Sequence, residues 1–195
     1  MTVTQLPRLP ARLAKLTPGT WTVDASHSTV GFTVRHLMVS KVRGHFGAFE
    51  GSVQIAENPL ESTLEATVDT TTISTNDDKR DEHLRSGDFF DTATYPTMTL
   101  RSTGVEQRGN EFVLHADLTI KAVTRQVEFG LEFDGVEPDP WGGTRAGFSA
   151  TAEISRKDFG LEWNVALETG GVVVGDKVKI QIDAELVRQA SPQEG

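Results

Sequence analysis

Three of the five histidines, His27, His36 and His45, recur at nine-residue intervals. Imidazole titrates near neutral pH and is a common ligand for divalent metals, so the spacing raises a metal-dependent enzyme as one reading. An odd separation, however, puts side chains on opposite faces of a continuous strand, and the chain has no His-x-His pair. A second group, Asp77, Asp78, Asp81 and Glu82, offers carboxylates for acid and base work or for a metal. Acidic residues in the first turn of a helix are equally accounted for by the partial positive charge of its N-terminus. His83 follows that group as a solvated helix residue, and His115 shares an outward face with Asp117.

Other kinds of chemistry lack their parts. Cysteine is absent, which removes disulfides, thiol nucleophiles and thiolate metal sites together. There is no Gly-x-Ser-x-Gly elbow, and Ser26-His27-Ser28 reads as a local turn cluster. Gly142-Gly143 after Trp141 has neither the Lys-Ser/Thr nor the strand-to-helix setting of a phosphate loop. We therefore assign no catalytic residue, no metal and no cofactor from the sequence. Nor does nucleic acid fit: 19 Lys and Arg stand against 28 Asp and Glu, a net charge of -9, with no run of basic residues to offer a local exception.

The elements that would position any site read as strands. Apolar residues at every second position mark one buried face and one wet face. Val30, Phe32 and Val34 form such a set, then Phe49, Gly51, Val53 and Ile55, and Leu64, Ala66 and Val68. Met98 and Leu100 follow, then Phe112, Leu114, Ala116, Leu118 and Ile120. Val127, Phe129, Leu131 and Phe133 come next, then Phe148, Ala150, Ala152 and Ile154, and Val178, Ile180, Ile182, Ala184 and Leu186. Turn signals separate them, among them Gln107 to Asn110 and Val174-Gly175-Asp176. About eight one-faced strands fit a closed antiparallel β-barrel, which also removes exposed edges. Asn76 to Gly87 reads as a short helix, acidic at its start and ended by Gly87, with Leu84 its one strongly apolar residue. It is expected to cap one end, with Phe89 and Phe90 turned inward.

Small residues among the inward sets, such as Gly51, Ala66, Ala116, Ala150, Ala152 and Ala184, leave room inside. Unfilled apolar volume costs about 24 cal/mol per Å³, so a large void calls for an apolar occupant. A solid barrel acting as an interaction module, in which small residues fit the taper, remains the other reading. A strand of roughly nine residues, tilted near 40°, would give a tunnel of about 23 Å. The candidate lining is Phe32, Val34, Phe49, Leu64, Val68, Leu100, Phe112, Leu114, Leu118, Phe129, Leu131, Phe148, Ala150, Ile180 and Ile182. Phe89 and Phe90 join it from the capping segment, and Phe46, Phe49, Phe159 and Trp163, in Gly-rich or irregular segments, read as a mouth or as barrel-end plugs.

No apolar stretch approaches the roughly 18 residues of a spanning helix. The first twenty residues are basic at Arg8, Arg12 and Lys15 but broken by Pro7 and Pro10, without the apolar run of a secretory signal, so cytoplasmic residence is the expectation. Leu9, Leu13 and Leu16 fall on one stripe of a short helix, either docked on the barrel or touching a membrane transiently. The organisation expected is an N-terminal extension over 1–18, a barrel over 19–189 and a disordered tail over 190–195.

Several segments together resemble the YceI-like polyisoprenoid-binding family. They are Thr22 to Ser28 leading into Val30-Gly31-Phe32, Arg43-Gly44-His45-Phe46, Asp88 to Asp91 with Tyr95-Pro96, Leu118-Thr119-Ile120, and Ser155 to Gly160. The resemblance runs from about Gly19 to Leu186. It implies an extended, eight-stranded lipocalin-like barrel that holds a polyisoprenoid or similar amphiphile, without catalytic residues and often as a homodimer. With the apolar interior, this leads to a carrier or store for a polyprenyl quinone or its precursor as the expected function. Two departures stand out. Many members begin with a signal peptide, and the family's Gly after Leu-Thr-Ile-x is Ala122 here.

Overall fold

The computed structural model describes residues 11–37, 39–166, 168 and 173–190. Among the described residues, eleven strands and one α-helix follow in chain order: β1 (Gly19–Val23), β2 (Thr29–His36), β3 (Ser40–Phe46), β4 (Phe49–Ile55), β5 (Thr63–Asp69), β6 (Ile73–Ser74), α1 (Asp78–Arg85), β7 (Thr97–Arg108), β8 (Glu111–Ile120), β9 (Val123–Pro138), β10 (Thr144–Ser155) and β11 (Val174–Arg188). Every pairing is antiparallel, and the ring β1-β4-β5-β7-β8-β9-β10-β11 closes back onto β1, giving an eight-stranded barrel.

The other three strands extend the wall rather than thicken it. β11 pairs with β1 through Leu186 to Arg188 and with β2 through Val174 to Asp183, so β1 and β2 lie end to end along it. β3 pairs with β2, and β6 with β3, in the half of the barrel beyond β1 and β4. With 16 residues in β9 and 15 in β11, the long strands reach further than the sequence suggested. At about 3.3 Å per residue and a tilt near 40°, fifteen residues give a barrel about 38 Å long.

Alternation builds the strands as expected: β8 is buried at every second position from Phe112 to Ile120. The strands the sequence hid are short or masked by glycine. In β3, Gly44 interrupts the inward set because the Phe32 ring lies over it; a Cβ there would clash with that ring. Val174-Gly175-Asp176 is not a turn. It is the bulged start of β11, where pairing with β2 shifts register between Val174 and Val178. The departure at Ala122 is local, as the β8–β9 turn places Lys121, not Ala122, at positive φ.

Two apolar clusters fill the two ends. Trp21, fully buried, centres one with Phe112, Phe133, Leu186, Leu13 and Leu16. Leu13, on a 3-10 turn (Ala11–Lys15), and Leu16 just after it are thus docked on the barrel without an α-helical stripe. Leu9 and the tail over 191–195 lie outside the described residues. The other cluster gathers Phe46, Ile73, Phe89, Phe129, Phe159 and Leu161 under α1.

α1 is held by its polar residues. Asp77 caps it by accepting from the Arg80 N–H at 3.0 Å. Asp81, buried, accepts from the Thr75 N–H at 2.8 Å, and Arg85 donates to the carbonyls of Thr71 and Ile73. The helix is thereby fixed across the gap between β6 and β7, with Leu84 facing in.

Candidate ligand cavity

Between the two clusters the barrel holds a cavity of about 310 Å³. This lies at the lower end of the roughly 300–1,000 Å³ of small-molecule sites. The inward faces supply its wall: Phe32 and Val34 from β2, Phe46 and Phe49 where β3 passes into β4, Leu64 and Val68 from β5, and Leu100 from β7. Phe112, Leu114 and Leu118 from β8, Phe129 and Leu131 from β9, Phe148 and Ala150 from β10, and Ile180 and Ile182 from β11 complete it. Leu84, Phe89 and Phe90 reach it from the capping segment.

Phe159 and Trp163 do not line it. Phe159 is 1% exposed and packs within the end cluster, where it acts as a plug. Trp163 sits against Phe89 with ring centroids 5.4 Å apart, so it backs the cap. Lining residues that the strand pattern left out include Leu13, Leu16, Leu60 and Leu161. They come from turns and termini, where no periodicity marks an inward face.

Three of the described lining residues are charged; Glu50 and Asp183 are exposed, and Arg156 is buried. Arg156, 4% exposed, follows β10 and meets backbone carbonyls rather than carboxylates: Gly175 at 2.9 Å, Leu161 at 2.6 Å, Trp163 at 2.9 Å and Val174 at 3.3 Å. Burial pushes its pKa below the ordinary value, opposed by the charge of Asp176. The guanidinium ties the end of β10, the segment after it and the start of β11 into one rim.

The residues with chemical range lie outside the cavity and apart from one another. His27 is exposed in the turn before β2, His36 ends β2 opposite Val174, and His45 faces outward from β3 opposite Gly31. The structure instead joins His27 to Asp24 and Glu185, whose ligand-type atoms lie within 4.8 Å of one another. Arg145 occupies that cluster, donating to Asp24 at 2.7 Å and to Glu185. Hydrogen bonds from Ser26, Arg145 and His27 hold the Asp24 carboxyl far below the usual carboxylate range. Ser26, His27 and Asp24 are not a relay, because Ser26 Oγ at 3.1 Å and Asp24 Oδ2 at 3.0 Å both meet the same nitrogen, His27 Nδ1.

Asp77 and Asp81 are taken up in holding α1, while Asp78 and Glu82 are exposed. The Arg80 N–H keeps the Asp77 pKa low. His115 stands on the outer wall, 3.1 Å from Glu106 and 3.5 Å from Glu128. Arg108 bonds to both carboxylates and lowers their pKa values.

The sequence pattern of the YceI-like domain matches residues 21–186. A UPF0312 protein of Staphylococcus aureus (strain bovine RF122 / ET3-1) is 42% identical over 168 residues, covering 85% of this chain and 95% of its own. Among solved structures, a Campylobacter jejuni YceI protein superposes with a TM-score of 0.68 at 26% identity, over 80% of this chain and 90% of its own. Burkholderia cenocepacia BcnA gives 0.69 at 22%, over 86% and 99%. A polyisoprenoid binding domain from Saccharophagus degradans, implicated in plant cell wall breakdown, gives 0.67 at 17%, over 87% and 98%. The last two likenesses establish the fold.

Proposed function

This chain belongs to the YceI-like family, and we propose that it binds a long isoprenoid lipid in the barrel and stores or carries it without changing it chemically. The continuous apolar wall of the cavity carries this reading. Aliphatic and aromatic side chains from all eight ring strands meet there, and the histidines and the carboxylates of Asp24, Asp77 and Asp81 are not among its lining.

The energetics favour a long chain. Each buried CH₂ contributes about 0.8 kcal/mol, so roughly ten buried carbons give about 8 kcal/mol, equivalent to a micromolar dissociation constant before ordering costs are subtracted. A polyprenyl quinone or its precursor suits a barrel this long, and the polyisoprenoid-binding neighbour supports the same class. Organic extraction of the purified protein followed by mass spectrometry tests the proposal. A prenyl lipid in near-stoichiometric amount is expected. Empty protein that also fails to take up a prenyl quinone would reject it.

A further inference from the structure

The turn between β2 and β3 and the segment leading into β11 leave large apolar side chains in solvent at the capped end of the barrel. Val39 is 85% exposed, Val165 49% and Leu37 39%. They belong to one tip, since the Leu37 N–H donates to the Val173 carbonyl at 2.9 Å and the Val173 N–H to that of Val165 at 3.1 Å.

Beside that tip the outer face of the sheet is basic. Register sets Arg35 opposite Lys41 and puts Thr33 between Arg43 and Lys179, with Lys177 two residues before Lys179 on β11. All five cations are exposed. The acids among them are engaged: Glu153 lies 3.7 Å from Lys177, and Asp176 accepts from the Ser155 hydroxyl at 2.8 Å. The segment carrying Val165 adds two exposed acids, Glu162 and Glu168, so the positive face is that of β2, β3 and β11 and not the whole rim. The sequence hides this patch because its members come from three strands, and each is flanked by neighbours facing the other way.

We propose that this end docks on a lipid bilayer that carries anionic headgroups. Leu37, Val39 and Val165 enter the interface, while Arg35, Lys41, Arg43, Lys177 and Lys179 face the headgroups. Single exposed apolar residues are ordinary on a soluble surface. What assigns the partner here is charge: a chain of net charge -9 gathers cations beside its apolar tip. Each Lys or Arg near an anionic surface raises the binding constant about fivefold. Trp141, 83% exposed at the other end, has the opposite setting beside Glu137 and Asp139. The tip also adjoins the cavity, because Val34 and Val174 line the wall within a few residues of Leu37.

The test is flotation of the full chain with vesicles of phosphatidylcholine alone and of phosphatidylcholine mixed with phosphatidylglycerol. Binding is expected with the mixed vesicles only, and it should be released by high salt because surface charge is screened within about a Debye length. The double variant Lys41→Glu with Arg43→Glu should weaken binding at least tenfold, about 1.4 kcal/mol, and Val39→Asp should also weaken it. Trp141→Ser should bind as the parent does. All these positions are exposed, so melting temperatures should stay with the parent. The proposal is overturned by absence of phosphatidylglycerol-dependent binding, by retention of binding in the charge-reversed variant, or by its loss in Trp141→Ser. Capture on a DNA or acidic-protein resin without vesicle binding would likewise overturn it, in favour of a macromolecular partner.

Discussion

The imidazole of His83 meets the indole of Trp163 edge-on, with ring centroids 4.6 Å apart and planes at 87°. His83 rides on α1, and Trp163 belongs to the segment that Arg156 pins to the start of β11, so the two rings join opposite sides of the barrel mouth. Asp88 fixes the imidazole from behind, its Oδ2 lying 2.8 Å from His83 Nε2, and Phe89 packs against both rings. Around this contact the capped end closes over the cavity.

Removing that contact should speed exchange of a bound lipid more than it weakens the fold. An aromatic pair of this geometry contributes about 1 kcal/mol beyond area burial, so Trp163→Ala should release a fluorescent prenyl analogue at least about fivefold faster. Stopped-flow displacement checks this. An unchanged release rate would place the gate elsewhere on the wall.

Ala150 sits mid-strand on the cavity wall, opposite Leu131 on β9 and Ile182 on β11. Ala150→Phe should send a ring into space that lipid would otherwise take. Overpacking a filled core costs about 1–3 kcal/mol, whereas a ring entering open volume costs less and buries apolar area. The expected result is a lower lipid-to-protein ratio by mass spectrometry with a melting temperature close to the parent. A large fall in melting temperature with lipid retained would mean that the interior at Ala150 is already full.

How much of this could be read from residues alone depended on whether the signal was local. The alternation of Phe112 to Ile120 and of Val178 to Leu186 is a period-two pattern within one strand, and it marked both the barrel and its inner face. Most cavity-lining residues were legible for the same reason. β1 has only five residues and β6 two, too few to show a period. Arg145, Asp24 and Glu185 meet across separations of 121 and 40 residues, and such contacts are set by register that no single strand reveals. Arg156 was concealed differently. Its neighbours Lys157 and Asp158 are exposed, and nothing in the residue type says that four carbonyls from later segments will converge on it.

Those four carbonyls predict how the rim answers to substitution. Arg156→Met fills similar space but leaves buried acceptors without donors, a loss of about 2–4 kcal/mol that should lower the denaturant midpoint. Arg156→Lys should recover only part of it, because a single ammonium cannot span acceptors that a planar guanidinium reaches together. Urea unfolding of both variants, with hydrogen exchange over residues 156–165, is the measurement. Full stability in the Lys variant would show that charge alone, not the fork of donors, holds the rim.

The Arg145 cluster should appear in the pH dependence of stability. Asp24 has a pKa in the folded chain lowered by hydrogen bonds from Ser26, Arg145 and His27, against about 3.9 when unfolded. A carboxyl lowered by folding stabilises the native state above its unfolded pKa, and that contribution is lost as pH falls toward the folded value. Arg145→Met removes one of the donors, so the variant should be less stable than the parent at pH 7. The gap should narrow below about pH 4, as protonation removes from the parent what the variant already lacks. Denaturant midpoints across that range provide the check. Because Ser26 and His27 still lower the Asp24 pKa in the variant, a gap that stays constant down to the acid unfolding of both proteins would mean that Arg145 acts by packing rather than through the charge of Asp24.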